Sequence, residues 1–232
     1  MHELANRLKA ATGPTWDAYI HHPWINDMVE GKLSRERLKF FLLQDLPYLA
    51  DYERIYHLAF AKLTIEQHRS FRPFIQMIAN FDEGQAEIEL LRQLGCNDFP
   101  SDHWAALKAR EAYMNHLVRI AYEGTSIQTL TAMLPCSIGF TEIGARLRGV
   151  DVTGYDPVSQ QWIELYRRPF QAEHVEALLA GLEPAAAGLS EAEIEELERI
   201  FLRSTQHQIH VFDAAWRMED EWPGPGTWAR QA

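Results

Sequence analysis

The chain has 232 residues, 47% hydrophobic and 24% charged, with a formal net charge of −11. That length and balance suit one large globular domain with its own core and exclude disordered and fibrous classes. The acidity argues against a nucleic-acid partner, whose phosphates call for a basic stripe, and the nearest candidates, "RERLKF" and "LYRRPF", are short.

No apolar run approaches the roughly 20 residues that span a bilayer, so no membrane partner is expected. The opening "MHELANRLKAATGPTW" lacks the basic-then-apolar pattern of a secretory signal. The two cysteines, Cys96 and Cys136, stand far apart in dissimilar settings. They form no disulfide framework and no C-x-x-C spacing, which suits a reducing cytoplasm and predicts no structural zinc.

In chain order the pattern predicts helix nearly throughout. Residues 2–12 read as a short amphipathic helix stopped by Gly13-Pro14, and a second runs from near Thr15 to His22-Pro23. The stretch from Gly31 has a Ser34 cap and keeps apolar residues at helical spacing for about eight turns. Pro47 falls inside it and is expected to kink it near Gln44, since proline removes a donor and crowds the preceding turn. Further helices fit 66–80, 84–94, 104–123 and 126–148, the last three each followed by a glycine. After the turn-rich "GVDVTGYDP", helices at about 157–167 and 170–181 follow. "GLEPAAAGLS" reads as a loop, with 183–190 as the one candidate hinge. Ser190 and Glu193 make a capping box for a final helix over 191–219, and the tail from about 220 to 232 reads as irregular. The expectation is a single all-α domain over 1–232.

Three stretches carry chemistry. In "LLQDLPYL", Asp45 sits among leucines and aromatics, where an unpartnered carboxylate is costly. It either bonds a neighbouring backbone amide at a helix edge or lines a pocket. In "LPCSIGF", residue chemistry alone favours Cys136 as a packed thiol, because free cysteine often acts as a small buried hydrophobe. A nucleophile needs a stabilised thiolate and access. Pro135 suits a first helical turn, whose dipole would supply that stabilisation, but the periodicity puts Cys136 inside a helix. In "STQHQIHVFDAAW", His207, His210 and Asp213 recur at three-residue spacing; a solvated polar face is favoured over a metal site. Spacing alone does not single out Gln208.

Together, "HPWINDMVEGKLSRERLKFFLLQDLPYL", "AYMNHLVRIAYEG", "TAMLPCSIGFTEIGARL", "QQWIELY" and "STQHQIHVFDAAW" resemble the TenA/thiaminase II family, in the right order over nearly the whole chain. The resemblance implies a haem-oxygenase-like helical bundle, usually a homotetramer, with a homodimer as the other expected assembly. It implies hydrolysis of an aminomethyl-aminopyrimidine, or of thiamine itself, in thiamine salvage, with a pyrimidine as the small-molecule partner and no cofactor or metal. Carried onto this sequence, Cys136 matches the nucleophile and Asp45 the carboxylate that grips the aminopyrimidine edge. Tyr48, Tyr113 and Tyr166 match pocket tyrosines.

Two positions depart from the family pattern. Phe140 stands where the family has tyrosine, which keeps the ring and loses the hydroxyl. Gln208 stands where the family has its catalytic glutamate, and an amide cannot act as a general acid–base. It can still hydrogen-bond a ring nitrogen. His207 is a candidate replacement if its helix turns it inward, whereas Glu142 points away from the face that carries Cys136. Two other functions stay open: a pyrimidine-binding protein without turnover, and a metal-dependent oxidase on the same bundle.

Overall fold

The structure, a computed structural model, describes residues 2–79, 83–99 and 102–223. Among them are twelve α-helices and no strand, in line with the all-α expectation. Residues 224–232, most of the expected irregular tail, lie outside the described residues.

The N-terminal helix α1 (Glu3–Ala11) buries Leu4, Ala5 and Leu8. It ends before Gly13, whose positive φ of 54° turns the chain into α2 (Pro14–Ile20). The expectation that His22-Pro23 only closes a helix is corrected. Pro23 opens a further one, α3 (Pro23–Val29), because proline suits a first turn where its missing N–H is not needed. His22 is its cap: Nδ1 accepts from the Trp24 backbone N–H at 3.1 Å.

Helix α4 (Arg35–Ala61) starts at the Ser34 cap and continues as one helix through Pro47. The single helix expected over 66–80 is two, α5 (Ile65–Ser70) and α6 (Arg72–Ile78), parted at Phe71. Pro73 has no N–H to continue the ladder, and the turn lets Phe71 bury completely. Next come α7 (Glu83–Gln93), a 3-10 turn at His103–Ala105, α8 (Lys108–Glu123), α9 (Ser126–Leu147) and α10 (Pro157–Tyr166). Helix α11 (Phe170–Ala186) runs through Pro184, so the first part of the expected loop and hinge is helical. Leu178, Leu179, Leu182 and Ala186 hold that turn in the core. The Glu183 carboxylate accepts from the Leu4 and Ala5 amides at 3.1 and 3.3 Å, capping α1. The Ser190–Glu193 capping box is present and starts α12 (Glu191–Arg217).

Helix α9 is the axis of the bundle, packed by α12, α11, α4, α8 and α10. Its sequence explains the position: from Thr129 to Gly139 only Cys136 is less than fully enclosed, and a helix apolar on all sides belongs in the interior. Beside it, Phe41 and Phe212 stack at 5.5 Å with planes 5° apart, and Trp24 lies 4.8 Å from Phe41. These rings tie α3, α4 and α12 together. No helix among the described residues is long and apolar enough to cross a membrane.

Close approach at Gly144 sets where α10 lies. A Cβ there would overlap the Tyr166 carbonyl oxygen, whereas one at Gly149 would meet nothing within 4 Å. Gly144→Ala should therefore destabilise the fold by about 1–3 kcal/mol in urea unfolding. Gly149→Ala should stay within about 0.5 kcal/mol of wild type.

Candidate active site

Residues that the sequence scatters over four helices meet at one cavity of about 330 Å³. Helix α4 supplies Asp45 and Tyr48, α9 supplies Cys136 and Phe140, α10 supplies Tyr166 and α12 supplies Gln208. Tyr113 of α8 stands behind this wall. Its ring stacks on Tyr48 at 5.4 Å, and its hydroxyl accepts from the Gln208 amide at 3.3 Å. Phe140 packs on Tyr166 at 4.9 Å, giving the cavity a second aromatic side.

Cys136 lies mid-helix, so the helix dipole gives its thiol no stabilisation. Burial dominates and pushes the thiol up to about 12; the Tyr48 hydroxyl opposes this, while the charges of Glu83 and Asp45 add to it. The resting group is a protonated thiol. Beside it, Ser137 Oγ joins the Tyr52 hydroxyl at 2.9 Å, and Tyr52 meets Tyr56 at 3.0 Å.

Asp45 is neither at a helix edge nor bonded to an amide. Its carboxylate pairs with Arg110 of α8 at 2.6 Å, both side chains buried. The Arg110 guanidinium also lies over the Tyr48 ring, 4.6 Å from its centroid. Two glutamates on α7, four residues apart and therefore on one face, complete the group. Glu87 is fully enclosed, and neither carboxyl oxygen meets an N–H or O–H donor of the protein. Burial, then Asp45 and Glu83, push Glu87 well above the carboxylate range. Glu83 lines the cavity and accepts from the Tyr166 hydroxyl. Burial and the charge of Asp45 raise it to about 7.

Arg110, Glu83 and Glu87 escape a reading by sequence motif, yet each leaves a trace. Arg110 interrupts the buried face formed by Ala109, Tyr113, Met114 and Leu117. Glu83 and Glu87 precede Leu90 and Leu91 at core spacing. Charges on a core face are the signal.

His207 does not reach the cavity. It stacks on the far side of Tyr113 at 5.6 Å and lies 4.9 Å from His116, so it does not replace the glutamate. Glu142 accepts from Lys9 and from Trp16 Nε1, tying α9 to α1 and α2. Asp213 faces His22 at 3.5 Å and Arg217 at 3.2 Å rather than joining His207 and His210. Among the described residues no three His, Cys, Asp or Glu side chains are placed to hold a metal ion.

The sequence profile of the TENA/THI-4/PQQC family matches residues 9–218. The chain is 28% identical over 204 residues to the aminopyrimidine aminohydrolase of Halalkalibacterium halodurans, covering 88% of this chain and 91% of that protein. With the aminopyrimidine aminohydrolase of Bacillus subtilis it shares 24% identity over 225 residues, covering 94% and 91%. A TenA homologue from P. horikoshii superposes with a TM-score of 0.76 at 21% identity, over 93% of this chain and 99% of that one. A domain of unknown function with a heme oxygenase-like fold, from Shewanella denitrificans, gives 0.67 at 13% identity over 92% of each chain. The bundle is thus haem-oxygenase-like.

Because Glu83 binds its proton more tightly folded than unfolded, its contribution to stability is full below about pH 4.5 and is lost as pH rises through about 7. Buried His22 and His174 and half-buried His116 and His207 are held low and act with the opposite sign. The readout is therefore a difference. Relative to wild type, Glu83→Gln should gain unfolding free energy between about pH 5 and about pH 8, by at most about 3 kcal/mol. A constant offset across that range in urea titrations would refute the assignment.

Proposed function

The chain belongs to the TENA/THI-4/PQQC family, and on that premise we propose that it is a cysteine-dependent hydrolase of the thiaminase II type. It acts on an aminomethyl-aminopyrimidine or a related thiamine fragment, in thiamine salvage. One observation carries the reading: Cys136 opens onto the same cavity as the buried Asp45–Arg110 pair and two aromatic walls. The relatives named aminopyrimidine aminohydrolase support it.

The flat heterocycle lies between Tyr48 and the Phe140–Tyr166 side. Asp45, fixed by Arg110, accepts from the amino group on the ring edge. The Cys136 sulfur adds to the electron-poor ring, which lets the leaving group depart from the exocyclic carbon. Water adds at that carbon and the sulfur is expelled. Covalent participation thus divides one difficult step into easier ones. Gln208, held by Tyr113, orients a ring nitrogen by hydrogen bonding and moves no proton.

We place the enzyme in the cytoplasm as a homotetramer or homodimer. Both cysteines are free, and Ile65, Trp104 and Tyr122 are large apolar side chains left exposed.

A second reading is a pyrimidine-binding protein without turnover, favoured by Gln208 and by the high resting pKa of the thiol. Ammonia release from aminomethyl-aminopyrimidine separates the two. The wild type should turn over, and Cys136→Ala should fall at least ~10²-fold while still binding the pyrimidine in calorimetry. Binding without product in the wild type would establish the second reading instead.

A further inference from the structure

The hydrolase reading leaves one need unmet. The thiol must lose a proton, the departing amine must gain one and the attacking water must lose one, yet Gln208 can carry none. His207 lies outside the cavity, and Asp45 is tied to Arg110 and Glu87. Glu83 is different: its carboxyl lines the cavity and, among the described residues, accepts from the Tyr166 hydroxyl through one oxygen.

We infer that Glu83 is the proton-transfer residue of this site, doing from α7 what a glutamate at position 208 would do from α12. The inference rests on the hydrolase reading above.

The steps balance around one carboxylate. Glu83 takes the Cys136 S–H proton as the sulfur bonds to the ring. The Glu83 carboxylic acid then gives that proton to the neutral amine, whose C–N bond breaks with the electron pair going to nitrogen. Water adds to the exocyclic carbon and passes a proton to Glu83. The ring expels the sulfur as thiolate, and Glu83 returns the proton to it. The sum is amine plus water to alcohol plus ammonia, with Cys136 and Glu83 restored.

The surroundings tune Glu83 for this exchange. Facing it are Asp45 from α4, Arg110 from α8, Cys136 from α9 and Tyr166 from α10, with His174 of α11 on the cavity wall and Glu87 on its own helix. Burial and the Asp45 charge bring it to about 7, where a carboxyl both gives and takes protons at neutral pH. His174, held down to about 4 by burial, stays neutral there.

The test measures ammonia release against pH in wild type, Glu83→Gln and Glu83→Gln with Gln208→Glu, alongside calorimetry with hydroxymethylpyrimidine. Glu83→Gln should lower kcat ~10²-fold or more and erase the limb near pH 7, with the Kd within about threefold of wild type. Adding Gln208→Glu should restore at least about tenfold by returning a carboxyl to the cavity. Glu83→Asp keeps an ionisable group one methylene shorter and guards against a folding defect; its limb should move with its own carboxyl. Turnover of Glu83→Gln within about threefold of wild type, with the limb kept, overturns this inference alone. So does a limb unmoved in both Glu83 variants. A wild type that binds but never turns over overturns the hydrolase reading, and this one with it.

Discussion

The site depends on a single buried cation. Arg110 is buried beside Asp45 and Glu87, and its desolvation alone, several kcal/mol per ion, would expel it from an apolar interior. The 2.6 Å pair with Asp45 and the Tyr48 ring beneath the guanidinium offset that term. The remaining carboxyls cannot all be ionised beside one positive charge, so protons remain on some of them at neutral pH. A set of acids whose protonation is unsettled near neutrality is therefore a consequence of how α4, α7 and α8 pack. The same packing fixes Asp45, since a carboxylate bound by a guanidinium in a dry wall does not swing. Rigidity at the recognition edge and mobility of protons nearby come from one arrangement.

The proposed nucleophile and the scaffold are coupled just as closely. Placing Cys136 mid-way along α9, the most enclosed helix, makes the thiol an inert resting group, because the dipole gives it no help and burial outweighs the lowering effects of the Tyr48 hydroxyl and the Arg110 charge. Such a thiol resists oxidation and metal capture, both of which require thiolate. It becomes reactive only when an acceptor for its proton and an electron-poor ring are present together. Reactivity conditional on substrate is a different solution from the permanently ionised cysteine at a helix start.

Much of this was legible in the chain, and the gaps share a cause. Long periodic stretches such as 35–61 and 191–217 declare themselves because their apolar faces repeat over many turns. Short helices do not: Pro23 reads as a stop until His22 is seen capping the turn it opens, and Pro184 reads as a loop until Leu178 and Leu182 are seen anchoring it. In both places tertiary burial overrides a local breaker. At the site, ordered motifs brought Asp45, Cys136 and Gln208 to attention. Arg110, Glu83 and Glu87 sit in no motif, and their meaning arises only from juxtaposition across three helices. A charge on an otherwise apolar face was the available clue.

The glutamine at 208 then takes on a physical sense. A carboxylate at that position, beside Tyr113 and facing the same cavity as Asp45 and Glu83, would be a fourth acid served by one guanidinium. Each added like charge raises the others, and a carboxyl driven well above neutrality stays protonated and ceases to accept. With Glu83 present, an amide at 208 keeps the acid count at three and leaves Glu83 near 7 rather than higher. The amide also donates to Tyr113, which an ionised carboxylate cannot do. On the proposed reading Glu83 carries the proton from the α7 wall, and Gln208 gives the α12 wall a neutral hydrogen-bonding group.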